Sequence, residues 1–93
     1  MAKVQVKIQV KTSEGALFRL LLDGKRVRVN NAEAILSLAR KNEDYVLSWF
    51  IEDVPLAKYS VKITEPEKLK MNYEATIDES RKDSALSWFK ISE

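Results

Sequence analysis

The sequence predicts an all-β domain, an antiparallel sandwich or barrel of seven or eight short strands. Three observations carry this. Apolar and polar residues alternate with period two in several segments. Turn-forming residues recur about every ten positions. β-Branched and aromatic residues concentrate between those turns.

The first segment shows the pattern most cleanly. In "KVQVKIQVKT", Val4, Val6, Ile8 and Val10 alternate with Lys3, Gln5, Lys7, Gln9 and Lys11. Alternate side chains of a strand point to opposite faces, so this is a strand with one wet face. Ser13-Glu14-Gly15 turns the chain. "ALFRLLLD" ends in Asp23-Gly24, a tight-turn pair, and "KRVRV" at 25–29 is the return strand. Asn30-Asn31 is a further turn, because asparagine tolerates left-handed backbone angles.

The stretch "AEAILSLARKN" at 32–42 has two readings. By propensity it is a helix that Asn31 caps, with Ile35, Leu38 and Ala39 on one face. By pattern it is a strand with Ala34, Leu36 and Leu38 turned inward. Flanking strands favour the second, and a short helix at 32–41 stands as the alternative.

"YVLSWFIE" at 45–52 is a strand, and 53–57 loops around Pro55. In 58–64, Tyr59, Val61 and Ile63 alternate with Lys58, Ser60, Lys62 and Thr64 until Glu65-Pro66 ends the ladder. Residues 69–78 set Leu69, Met71, Tyr73, Ala75 and Ile77 on one face. "ESRKD" at 79–83 reads as a polar hairpin loop before a closing strand, "SALSWFKIS". Nothing in this series divides the chain, so residues 1–93 are expected to form a single domain.

Composition narrows the chemistry. The 93 residues are 45% hydrophobic and 32% charged, an ordinary globular balance. With no cysteine there is no disulfide framework, thiolate metal site or thiol nucleophile. With no histidine there is no catalytic triad built on imidazole and no histidine-ligated zinc. The acidic pairs Glu43-Asp44, Glu52-Asp53 and Asp78-Glu79 fall at turns or strand ends, where solvation accounts for them. Only Gly15 and Gly24 are glycines, so no phosphate-cradling loop exists. No enzyme is expected, and no catalytic, cofactor-binding or metal-binding residue is assigned.

The first ten residues interrupt their apolar positions too often for a signal peptide, and no run approaches the ~20 apolar residues of a membrane span. A cytoplasmic protein is therefore expected, with export left open should a leader have been removed.

Sixteen basic residues against fourteen acidic leave a net charge of +2. Lys3, Lys7 and Lys11 share one strand face, and Arg19, Lys25, Arg26 and Arg28 gather around the first hairpin. Such residues beside exposed aromatics suit an OB-like barrel that binds single-stranded nucleic acid, the alternative reading. Against it stand the charge balance and a simpler role for lysines, which protect an edge strand from unwanted pairing.

The tetrapeptide Leu-Ser-Trp-Phe occurs twice, at 47–50 and 86–89, with both tryptophans of the chain. The flanking sequences do not match, so these are two strands with similar jobs rather than a duplicated unit. Tyr45 and Ile51 share the face of Leu47 and Trp49, which marks that face as core. By analogy Leu86 and Trp88 are expected in the core too, packed with Val6, Ile8, Tyr59 and Ile63. Val46, Phe50, Ala85, Phe89 and Ile91 then lie on the outer face. Val46, Phe50, Phe89 and Ile91 are the candidate interaction surface, for a protein partner or a homodimer. The competing expectation is that 32–42 or the 65–72 loop folds over this strip.

The stretch "YVLSWFIEDVPLAKYSVKITEP" at 45–66 resembles the centre of small bacterial immunoglobulin-like domains. There an aromatic strand with tryptophan leads through a glycine- and proline-containing loop to a strand of the "KYSVKIT" type and then to proline. Trp49-Phe50, Pro55 and Lys58 to Thr64 match. Asp53 and Leu56 stand where glycines are expected. The resemblance spans about a quarter of the chain. It implies an immunoglobulin-like sandwich, favours a strand at 32–39, and implies neither an enzyme nor any functional residue.

Overall fold

The computed structural model describes residues 3–39, 43–69 and 71–91. Among these lie eight strands: β1 (Lys3–Lys11), β2 (Leu17–Leu22), β3 (Lys25–Val27), β4 (Glu33–Ala39), β5 (Tyr45–Glu52), β6 (Lys58–Glu65), β7 (Asn72–Thr76) and β8 (Lys82–Phe89). One 3₁₀ turn, Glu67–Leu69, follows β6. The strands form two four-stranded antiparallel sheets, ordered β4-β1-β6-β7 and β3-β2-β5-β8. The sheets face each other as a β-sandwich around one core drawn from both.

Each sheet is set by the alternation already visible in the sequence. In β1, Val6, Ile8 and Val10 are buried while Lys3, Gln5 and Lys11 are exposed. In β6, Tyr59, Val61 and Ile63 are buried. Opposite them β5 contributes Tyr45, Leu47, Trp49 and Ile51. The turn between β2 and β3 places Asp23 (φ 50°) and Gly24 (φ 81°) in the left-handed region. A two-residue hairpin turn with both φ values positive needs such residues.

One open alternative is settled as favoured, and two expectations are corrected. Residues 33–39 form strand β4, not a helix; 40–42 lie outside the described residues. β4 pairs with β1 from Gln9↔Glu33 to Lys3↔Ala39, and this ladder turns Ala34 and Leu38 into the core. Helix propensity is worth only tenths of a kcal/mol per residue, so a full ladder plus core burial outweighs it. The first correction is that β1 is an interior strand between β4 and β6, so its lysines do not guard an edge. The second is that 79–83 is not a hairpin loop. β7 and β8 belong to different sheets, and the segment carries the chain across the sandwich.

Candidate functional site

The two copies of Leu-Ser-Trp-Phe lie on neighbouring strands with opposite orientation. In β5, Leu47 and Trp49 are fully buried and Phe50 is 56% exposed. In β8 the roles invert: Leu86 and Trp88 are 49% and 62% exposed, while Phe89 and Ile91 are buried. The expectation that Leu86 and Trp88 join the core is therefore corrected. So is the placing of Phe89 and Ile91 on an interaction surface. Val46 is half-buried, and Phe50 stands on the outer face as expected.

The register explains the inversion. Residues directly opposite in an antiparallel pair point to the same side. Trp49 stands opposite Ala85, Leu47 opposite Ser87, and Tyr45 opposite Phe89. Large inward side chains on β5 thus meet small ones on β8 at the first two of these pairs. The Tyr45 and Phe89 rings stack at 5.5 Å nearer the sheet end.

Charge decides the same way. Lys82, Leu86, Trp88 and Lys90 share one parity, and burying it would bury two lysines. The other parity contains one charged residue, Asp83, and Asp83 has a partner inside. The Tyr59 hydroxyl donates to its Oδ2 (2.7 Å) and accepts from Trp49 Nε1 (3.3 Å). Burial, and then this hydrogen bond to a carboxylate, push the Tyr59 hydroxyl pKa above its ordinary value. Among the described residues no buried side-chain polar atom lacks a partner.

What the inversion leaves outside is a continuous strip on the β3-β2-β5-β8 sheet. The pairs Val46↔Trp88, Ser48↔Leu86, Leu21↔Ser48 and Arg19↔Phe50 tie it together across three strands. Leu17, 67% exposed, ends it beside Glu52. Arg19, Phe50, Glu52 and Lys82 line one depression on this face. Arg19, Arg26 and Arg28 line another at its β3 border. The outer strip is thus real in position but differs in membership from the sequence reading. Leu17, Leu21, Leu86 and Trp88 belong to it; the parity of Lys82 and Lys90 was the signal that could have found the last two. Among the described residues, neither segment expected as a cover lies over it: β4 is paired in the other sheet, and the 3₁₀ turn packs against β6.

The opposite outer face is of a different kind. Lys7, Gln9 and Lys11 of β1 lie beside Lys62 and Ser60 of β6, with Glu74 of β7 opposite Ser60. Lys7 pairs with Glu65 at 3.7 Å, both partly exposed, a contact of small energetic weight.

The acidic pairs do not converge. Glu52 and Asp53 end β5, where Ser13 Oγ hydrogen-bonds to Asp53. Asp78 accepts from the Ser80 backbone N–H and hydroxyl in the turn before β8, which hold its carboxyl below the usual range. Glu43 and Asp44 are exposed just before β5. Among the described residues no group of three or more acidic side chains is placed to hold a metal ion, and no helix is long and apolar enough to cross a membrane. Comparison of the chain with protein-family models, with curated proteins and with solved structures finds no match.

Proposed function

We propose that this chain is a non-enzymatic binding or structural module that acts through protein–protein contacts, made by the outer face of the β3-β2-β5-β8 sheet. The observation that carries this is the strip of Leu17, Phe50, Leu86 and Trp88, each about half exposed or more. Contiguous apolar surface on a small domain loses free energy to water until a partner covers it, and exposed aromatics are the usual anchors of such contacts.

The immunoglobulin-like reading belongs to the same proposal. β1 pairs with β4, β2 with β3 and β5, and β5 with β8. These adjacencies repeat the B–E, C–C′, C–F and F–G neighbours of immunoglobulin sandwiches. The β6–β7 hairpin between β5 and β8 in the chain is a departure from that order. Leu56 lends further support: its φ of 68° is a glycine-like conformation, at a place where the resemblance leads one to expect glycine.

The test is a photo-crosslinking side chain placed at position 88 and, separately, at position 62 on the opposite face. Discrete protein adducts from position 88 alone are expected. Identical adduct patterns from both positions, or none from position 88, would overturn the proposal.

A further inference from the structure

We infer that the occupant of this face is a protein segment carrying carboxylates beside bulky apolar side chains. The inference rests on the reading of the face as a protein-contact surface and adds the chemistry of what it binds.

The apolar half of that chemistry follows from Trp88, Phe50 and Leu86. The acidic half follows from what surrounds them. On the outward positions of the sheet the basic residues are Arg19, Arg26 and Lys82, and Arg28 lines the same depression as Arg19 and Arg26. The only carboxylate at an outward position of these strands is Glu52, and it stands opposite Lys82 across the β5–β8 pair. Glu52 also shares a depression with Arg19, so one outward carboxylate faces two cations there. The depression at the β3 border is lined by Arg19, Arg26 and Arg28 with Phe18, Val27 and Val29, and by no carboxylate. A guanidinium offers a planar fork of donors that fits a carboxylate with two parallel hydrogen bonds. A ligand reaching from Trp88 to Arg19 therefore meets apolar surface first and positive charge second.

Two other occupants fit less well. A second copy of the chain would set the same surplus of positive charge against itself, and like charges brought together across an interface cost binding energy. A single-stranded nucleic acid needs cations and stacking surfaces together. The opposite face offers Lys7, Lys11 and Lys62 without aromatics; the face of Phe50 and Trp88 has cations as well, in Arg19, Arg26 and Lys82, but only those two rings. The face that has Phe50 and Trp88 fills much of the remaining strip with Leu17, Leu21, Val46 and Leu86, which offer no ring to stack on a base.

The tryptophans make the test direct. Trp49 is fully buried and Trp88 is 62% exposed, so a change in emission on binding reports from Trp88. The probes are three strand-length peptides without tryptophan, and an oligothymidylate. One peptide alternates glutamate with leucine and phenylalanine. The second replaces its glutamates by lysine. The third keeps the glutamates and replaces the apolar residues by serine. The first is expected to shift Trp88 emission to the blue and to bind about tenfold more tightly than either of the others. In the Arg19→Glu, Arg26→Glu variant, whose melting temperature should be unchanged, the preference between glutamate and lysine peptides should reverse. Equal affinity for those two peptides would overturn the acidic partner and leave the protein-contact reading standing. Tighter binding of oligothymidylate would overturn it in favour of nucleic acid. A dimer in sedimentation that Trp88→Ser dissociates would overturn it in favour of a second copy. If no probe changes the emission, the inference fails, while crosslinking from position 88 still decides the protein-contact reading independently.

Discussion

Two identical tetrapeptides, one strand apart, do opposite work in this molecule. Leu47-Ser48-Trp49-Phe50 turns its tryptophan into the core and its phenylalanine out. Leu86-Ser87-Trp88-Phe89 does the reverse. Local sequence cannot explain the difference, because it is the same. The orientation of a strand is a property of the whole strand: its register with its neighbour and the charges at both its ends. β5 ends its outward parity in Glu52 and keeps Tyr45, Leu47, Trp49 and Ile51 inside. β8 carries Lys82 on the parity of its tryptophan, with Lys90 just beyond, so the tryptophan goes out with them. A one-residue shift of register would exchange every side chain of the strand between core and solvent.

The sharpest way to break this comparison is to remove each indole. Trp49 is fully buried, packs edge-on against Tyr73 at 5.1 Å and donates to Tyr59. Trp49→Ala should cost about 3–5 kcal/mol in urea denaturation. Trp88→Ala, on the surface, should change stability by less than about 0.5 kcal/mol. Equal losses would mean that both tryptophans are core residues.

The phenylalanines should behave in the opposite order. Phe89 is 6% exposed and stacks on Tyr45, so Phe89→Ala should cost about 3 kcal/mol. Phe50→Ala should stay within about 0.5 kcal/mol. A Phe50 variant less stable than the Phe89 variant would reverse the assignment of faces.

Asp83 sharpens the account, since it is the charged residue on the inward parity of β8. Asp83→Ala leaves the Tyr59 hydroxyl without its acceptor and should cost about 1–3 kcal/mol. The same contact predicts a pH dependence. The Tyr59 pKa is raised above its ordinary 10.0 in the folded state, so the folded chain holds this proton more firmly than the unfolded chain. The contribution is complete below pH 10 and is lost as pH rises beyond it. Tyr59→Phe should therefore be less stable than wild type at neutral pH, with the gap narrowing above about pH 10 in denaturation curves. A gap that widens there would contradict the hydrogen bond.

The smallest effect concerns the loop after the first tetrapeptide. Leu56 is 80% exposed with φ 68°, a conformation that disfavours a side chain by about 1–2 kcal/mol. Glycine relieves that strain but gives the unfolded chain more freedom, by about 0.4–1 kcal/mol. Leu56→Gly should thus raise stability by about 0.5 kcal/mol, seen as a small rise in melting temperature. A clear loss would mean that Leu56 makes packing contacts that offset its strain.

The sequence by itself determined the strand content and most of the core. Val6, Ile8, Val10, Leu47, Trp49, Tyr59, Val61 and Ile63 are buried where alternation places them. Period-two patterning is a local property, so it survives without knowledge of partners. The outer strip was legible only in part. Val46 and Phe50 follow from their own strand, but Phe89 and Ile91 were exchanged with Leu86 and Trp88 because both faces of 85–91 carry large apolar residues. The parity of Lys82 and Lys90 pointed to the right face, and the tertiary structure decided it through the pairing of Trp49 with Ala85 and of Tyr59 with Asp83. It decided 33–39 as well, where helix propensity yielded to the ladder with β1. Sheet order, the crossing of 79–81 between sheets and the meeting of Arg19 with Phe50 belong to the same class. Each depends on which strands become neighbours, and that is set by how both sheets close over one core rather than by any segment alone.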